Sequence, residues 1–177
     1  MAKAPRIGRA KRRLARRIGA VAAWAFYRRT LFAVARRLRD PRWTCWLAVT
    51  PDVSGLTSRQ WPARWWIVAQ GGGDLGARML RPMRLLPPGP VVVIGSDIPD
   101  IRPDHIAAAF MALGENDWVF GPAVDGGYWL VGAKRRPRLF DPFRNARWSS
   151  EHALADTLAN LPDGTTVGFV ETLGDVD

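Results

Sequence analysis

Two stretches decide the fold: residues 91–100, VVVIGSDIPD, and residues 117–132, DWVFGPAVDGGYWLVG. The first begins with the β-branched run Val91, Val92, Val93, Ile94, the composition of a strand buried on both faces. Gly95 ends the run, Asp97 follows, and Pro99 keeps the next segment from continuing as strand. Asp117 to Phe120 reads as a second short strand closed by Gly121-Pro122, with Asp125 placed before Gly126-Gly127. Tyr128 to Val131 is a third apolar run. Ligands of open α/β sheets bind outside the carboxyl ends of the strands, and Asp97 and Asp125 both follow such ends. A carboxylate there can hold a hard cation such as Mg²⁺, which keeps open positions for substrate phosphates. Gly126 and Gly127 let backbone amides approach a ligand closely. Each loop alone reads equally well as a turn, Asp97 with Pro99 and Asp125-Gly126 as a hairpin turn. The two loops together, with strands on both sides, favour a site.

The chain has 177 residues, enough for one domain with its own core, and the expectation is a single domain over residues 1–177. The one cysteine, Cys45, excludes an internal disulfide, and no Cys/His cluster suggests zinc. His105 and His152 are isolated in helical segments and read as structural or surface residues. Charge is unevenly spread. Residues 1–42 carry 14 Lys or Arg against the single acid Asp40, a net +13, which leaves −3 of the total +10 for the remainder. Such a basic leading segment attracts nucleic acid, acidic membrane surfaces or phosphorylated ligands. No apolar run is long enough to span a bilayer. Ile18 to Phe26 follows two arginines but ends in Tyr27-Arg28-Arg29 with no small-residue cleavage site, so an amphipathic helix and a cytoplasmic protein are expected.

Along the chain, Met1 to Arg13 reads as a basic loop, and Leu14 to Leu38 as helix broken at Gly19. Thr44 to Thr50 reads as strand, Val53 to Arg64 as loop and Trp65 to Ala69 as a short strand. Then Gln70-Gly71-Gly72-Gly73-Asp74-Leu75-Gly76 opens a helix through Leu86. A helix N-terminus after glycines suits an anion, although the spacing matches neither a dinucleotide fingerprint nor a P-loop, and Asp74 is also a natural N-cap. Pro103 starts a helix to about Leu113, and Ser149 or Ser150 caps one through Leu161. Thr165 to Val170 is the last strand. Strands alternate with helices, so the class is α/β with a mostly parallel sheet flanked by helices. Of nine tryptophans, Trp24, Trp65 and Trp66 are candidates for the core, whereas the pattern gives no account of Trp43, Trp46 and Trp61.

The segments AKAPRIGRAKRRL, QGGGDLGARM, VVVIGSDIPDI, FGPAVDGGYWLVG, RWSS and ETLGDVD occur in the order found in a family of bacterial GT-A-like glycosyltransferases, many of them labelled as arsenosugar-biosynthesis type. The chain resembles that family over nearly its whole length. It is also similar to the nucleotidyltransferases that make molybdenum-cofactor dinucleotides and the phospholactate precursor of coenzyme F420. The resemblance implies a Rossmann-like GT-A sheet that binds a nucleotide with Mg²⁺ or Mn²⁺. It matches Asp97 to a metal-binding Asp, and Asp175, with Asp177, to a late Asp-x-Asp element that supplies a further metal ligand. Gly8, Lys11 and Arg13 match the basic loop that holds the nucleotide phosphates. Gln70, Gly71, Gly73, Asp74 and Leu75 match a segment near the base or ribose. Asp125, Gly126 and Gly127 match the acceptor-side loop; with the flanking Pro122 and Tyr128 they are the candidate substrate-binding residues, and Asp125 is the candidate catalytic carboxylate.

The chain departs from the family in three places. An apolar strand precedes the AKAP element in relatives, so the first strand is expected to be missing here, leaving neighbouring strands with unpaired backbone groups. Lys11-Arg12-Arg13 stands where relatives carry Lys-Thr-Arg, and the chain stops at Asp177 where relatives often continue into a helix. The expected function is transfer of a sugar from a nucleotide-diphosphate sugar to a small acceptor, with no specific nucleic acid and no membrane span. The alternatives are a nucleotidyltransferase joining an NMP to a phosphorylated small molecule, a catalytically inactive relative, or a basic binding module for RNA, DNA or an anionic membrane.

Overall fold

The computed structural model describes residues 1–9, 11–56, 60–136 and 139–174. They form two compact units, one of Met1–Gly71 with Ser96–Pro103, the other of Gly72–Gly95 with Asp104–Gly174.

The first unit holds β1 (Ala2–Lys3), α1 (Arg12–Ile18), α2 (Ala20–Arg37), β2 (Trp46–Thr50), α3 (Asp52–Leu56) and β3 (Trp66–Ala69). Its sheet is parallel throughout, in the order β1-β2-β3. Gly19, at φ 85°, breaks the long basic helix where the sequence places the break. The α3 turn lies in a stretch that reads as loop, because five residues show no helical period. Ala2, Ala4, Leu31, Leu47, Val49 and Trp61 form this unit's core, with Trp65 and Ile67 packed against it. Trp61 enters that core with its indole N–H on the Gly55 carbonyl, and Trp43 donates to the Leu38 carbonyl at 2.9 Å. Trp66, expected in the core, is 65% exposed on edge strand β3 and meets Trp46 with ring centroids 5.9 Å apart.

Residues of the AKAP element itself, expected as loop, form a short strand, β1, on β2. It is two residues long, with Ala2 opposite Val49 and Lys3 opposite Thr50. So short a strand shows no alternation in sequence, which is why it reads as loop. Its backbone groups are satisfied by side chains. Lys3 N–H and C=O point away from β2 by strand alternation. The Tyr27 hydroxyl of α2 accepts from that N–H at 2.9 Å and donates to that C=O at 2.8 Å. The Gln70 amide, 2% exposed, donates to the carbonyls of Ala2 at 3.0 Å and Ala48 at 2.8 Å. The Tyr27 hydroxyl thus takes the place of a strand on the other side of β1, and the Gln70 amide ties β1 to β2.

The second unit holds α4 (Leu75–Leu85), β4 (Val91–Ile94), α5 (Pro103–Glu115, starting at the boundary), β5 (Trp118–Pro122), β6 (Tyr128–Ala133), α6 (Ala153–Ala159) and β7 (Val167–Phe169). Its sheet runs β4-β6-β5-β7 and is mixed. β6 is antiparallel to both β4 and β5, and only the β5–β7 pair is parallel. The expected mostly parallel sheet is therefore corrected here. Five residues, 123–127, join β5 to β6, and a parallel pair needs a crossover of a dozen or more. Val91 and Val93 are buried while Val92 and Ile94 are half-buried, so β4 is not equally dry on both faces. Trp118, Phe120, Tyr128, Phe143 and Trp148 form a run of ring contacts with centroids between 5.4 and 6.3 Å apart.

The β5–β6 hairpin is pinned to the start of α6. Gly126 has φ +83°, and a Cβ there would lie 2.3 Å from the Glu151 carbonyl oxygen. The Gly126 carbonyl accepts from Leu154 N–H at 3.2 Å. Ser150 accepts from His152 N–H at 3.2 Å, so the serine expected as N-cap ties the turn just before the helix, and His152 is the cap residue.

Tyr27→Phe removes the hydroxyl but keeps the ring, and we expect a loss of about 1–3 kcal/mol in unfolding free energy, measured by urea titration, because the Lys3 groups lose their partner. An unchanged midpoint would mean that water replaces the hydroxyl. Gly126→Ala combines backbone strain with a clash against main chain, so a larger loss of roughly 2–5 kcal/mol is expected by the same measurement.

Candidate functional site

In the first unit the basic loop runs from the end of β1 to α1. Ala4 N–H bonds the Thr50 carbonyl at 2.8 Å, which fixes the loop's take-off from the sheet. Gly8 turns it with φ 73° and is exposed. Lys11 then caps α1 in the left-handed region, φ 46° and ψ 57°, and its carbonyl accepts from Ala15 N–H. A non-glycine residue held there is strained by about 1–2 kcal/mol. The strain goes with an inward side chain: that of Lys11 is only 6% exposed, and its Nζ lies 3.0 Å from Asp97 Oδ2. A buried ammonium requires a charged or strongly polar partner, and Asp97 is one. Arg13 is exposed on the first turn of α1.

Asp97 sits in the Ser96–Pro103 segment of the same unit, its side chain 37% exposed. Ser96 Oγ is 3.4 Å from the Tyr27 hydroxyl, and the Arg37 guanidinium bonds the Pro99 carbonyl. Helix α2 thereby holds the start of the basic loop and the Asp97 loop from one side. Burial raises the Tyr27 hydroxyl above its ordinary pKa, so it stays neutral. Sequence reading missed Tyr27. Its one available signal is a polar-tipped aromatic three and four residues from Ala23, Thr30 and Leu31, which line the buried face of α2.

The glycine-rich loop divides between the units. Gln70 belongs to the first, with its side-chain amide committed to the two strand carbonyls. Gly71 N–H bonds Asp52 Oδ1 at 3.0 Å. In the second unit Gly73 has φ +100° and Leu75 is 39% exposed. Asp74 is the N-cap of α4: its Oδ1 accepts from Ala77 N–H at 2.8 Å, and Oδ2 lies 3.4 Å from Trp148 Nε1. The structure gives Gln70 and Asp74 definite structural partners.

The residues expected on the acceptor side lie in the second unit. Asp125 is exposed at the tip of the β5–β6 hairpin, where its Oδ1 accepts from Gly127 N–H at 3.0 Å. That bond is the turn expected for Asp-Gly sequences, and it leaves the carboxylate at the surface. Pro122 ends β5 at a register shift and accepts from Leu173 N–H. Gly126 lies against the Glu151 backbone, so its freedom serves packing. The Tyr128 hydroxyl is 3.4 Å from Thr157 Oγ1, and burial pushes its pKa well up, so it is a neutral group directed at α6. β4 and β5 run the same way on either side of β6, and each ends three residues before its carboxylate, Asp97 and Asp125.

Asp175 lies outside the described residues. Among the described residues no group of three His, Cys, Asp or Glu side chains could enclose a metal ion. A single carboxylate still suits Mg²⁺ or Mn²⁺ of the kind held by one or two Asp and completed by substrate phosphates. Asp97 fits that donor set, being carboxylate-only and partly open. His105 is buried on α5, with Nε2 3.1 Å from Glu171 Oε2, and has the structural place expected of it.

Among the described residues no helix is long and apolar enough to cross a membrane. No curated protein matches the chain. Among solved structures, the chain is similar to a "putative nucleotide-diphospho-sugar transferase" from Desulfovibrio desulfuricans G20. The two share 28% identity and a TM-score of 0.90, over 99% of this chain and 79% of the other. That likeness is consistent with a GT-A-like α/β fold. A family model described as "Uncharacterized protein conserved in bacteria (DUF2064)" matches residues 33–150, two-thirds of the chain and most of its strands and helices, and the chain belongs to that family.

Proposed function

We propose that the chain is a glycosyltransferase that uses a nucleotide-diphosphate sugar and a divalent cation to glycosylate a small acceptor. The observation that carries this reading is the buried Lys11 ammonium, on the loop that leaves parallel strand β1, against the half-open Asp97 carboxylate of the 96–103 segment in the same unit. The likeness to a nucleotide-diphospho-sugar transferase supports the donor class. The arsenosugar-type specificity suggested by the motifs is one donor–acceptor pair within it.

In the proposed reaction an acceptor hydroxyl attacks the anomeric carbon of the sugar. The bond from that carbon to the diphosphate oxygen breaks, and the nucleoside diphosphate departs with the electron pair. Lys11 and Arg13 are proposed to neutralise the charge that builds on it, a preorganised contribution that is usually the largest in catalysis. A cation on Asp97, with Asp175 as a possible second ligand, supplies Lewis-acid neutralisation of the diphosphate when bound. Asp125, exposed and ready to meet a solute, is proposed to orient the acceptor hydroxyl and take its proton. Gly8, the residues 70–75 and the loop around Gly127 are proposed to shape the two substrate sites.

A thermal-shift screen of nucleotides and nucleotide sugars, with and without Mg²⁺ or Mn²⁺, is the primary test. A specific donor raises the melting temperature by mass action, and Asp97→Asn should abolish the metal-dependent part of the rise. A screen with no stabilising nucleotide sugar would remove the donor class. With a donor and acceptor in hand, Asp125→Asn should lower turnover by about 10²–10⁴-fold, and full turnover would exclude it as the base. Release of pyrophosphate from an NTP, rather than of a nucleoside diphosphate from a nucleotide sugar, would replace this reading with nucleotidyl transfer.

A further inference from the structure

Helices α1 and α2 carry eight arginines, Arg12, Arg13, Arg16, Arg17, Arg28, Arg29, Arg36 and Arg37, with no lysine and no acid. The segment 16–22, RRIGAVA, is exposed at every residue. Within it Ile18 is 49% and Val21 63% exposed, on either side of the Gly19 break. The aliphatic pair has no role in the Lys11–Asp97 arrangement, and what sets it apart is its place among arginines on one exposed stretch. On α2, Arg28 stacks on Trp24 and Phe32, with its guanidinium carbon 5.9 and 5.3 Å from the ring centres. Trp24 is anchored by its indole N–H on the Pro5 carbonyl at 2.7 Å. The outer face of α2 from Val21 to Arg36 therefore alternates aliphatic, aromatic and guanidinium groups.

We propose that the α1–α2 junction is a docking surface for an anionic lipid membrane, with Ile18 and Val21 entering the boundary between headgroups and acyl chains and the flanking arginines meeting lipid phosphates. Charge complementarity supplies the attraction, since basic residues beside a surface draw it to acidic lipids and guanidinium matches phosphate in a fork. The aliphatic pair separates lipid from nucleic acid. A phosphodiester backbone would use the arginines equally well but offers nothing to Ile18 and Val21. Shallow burial of apolar side chains together with basic residues is how interfacial helices hold a membrane without crossing it. This surface is independent of the glycosyltransferase reading.

The test is co-sedimentation of the full chain with phosphatidylcholine vesicles and with equimolar phosphatidylcholine–phosphatidylglycerol vesicles, beside a binding titration with duplex DNA. Binding is expected to the anionic vesicles only and to weaken with added salt. Ile18→Ser/Val21→Ser leaves the charge unchanged and should lower vesicle partitioning about tenfold or more. Arg16→Gln/Arg17→Gln should lower it by a similar factor at low salt. Both pairs are exposed, so the variants should keep the parent's circular dichroism and melting temperature. Absence of vesicle binding, equal binding to neutral vesicles, or full partitioning by the Ile18→Ser/Val21→Ser protein would each overturn the proposal. DNA binding that survives the aliphatic substitutions while vesicles are left unbound would assign the surface to nucleic acid instead.

Discussion

The geometry of the first unit depends on how the backbone of a two-residue strand is satisfied. A strand this short cannot exchange enough ladder bonds to hold itself in place. Tyr27 from α2 and Gln70 from the end of β3 reach it instead. Both are fixed at their other end, one on a basic helix and the other by its own N–H on the Val49 carbonyl. The take-off point of the basic loop is therefore set by side chains that converge on β1. With Lys3 held, Ala4 bonds Thr50, the loop turns at Gly8, and Lys11 arrives buried beside Asp97. The polar groups are well accounted for: among the described residues no buried side-chain nitrogen or oxygen lacks a partner.

Much of this was legible in the sequence wherever the chain repeats a period or places a residue of special backbone freedom. Val91–Ile94 is the expected strand, Gly19 breaks the basic helix, and Asp74 caps α4. Three features were not legible, each for its own reason. β1 is too short to show alternation. Tyr27 acts across 24 residues of sequence, and no local pattern reports such a distance. The antiparallel β5–β6 pair rests on a five-residue Asp-Gly connection whose hairpin reading is overridden by the alternation of strands with helices elsewhere. Trp66 shows the limit of composition: on an edge strand an aromatic residue can stack on a neighbour and still face water.

The β5–β6 hairpin shows how residues expected at a substrate site can be taken up by packing. Gly126 is excluded from carrying a side chain by the backbone of Glu151, which the start of α6 presses against the hairpin. Tyr128 turns its hydroxyl toward the same helix. These two residues are accounted for by structure alone. Asp125 differs, because its one turn bond to Gly127 uses a single oxygen and leaves an exposed carboxylate at the hairpin tip. Of the residues in this loop, it is the one whose position a purely structural account does not use up.

The Lys11–Asp97 pair is the corresponding point in the first unit. Burying an ammonium beside a carboxylate is weak evidence for stability, since desolvation consumes most of the attraction. Its cost here is increased by the left-handed backbone of Lys11. Strain of that kind persists where the surroundings over-determine it, and it clusters at binding sites. On the proposed reading the pair has a simple electrostatic logic. Without a donor, each group neutralises the other. With a diphosphate and a cation bound, the ammonium would turn to phosphate oxygen and the carboxylate to the cation, so each charge would exchange one partner for another and the buried ammonium would not be stranded. A lysine–carboxylate pair is suited to this exchange because the ammonium is a compact charge on a flexible stem, where a bidentate arginine pair would be held by its geometry.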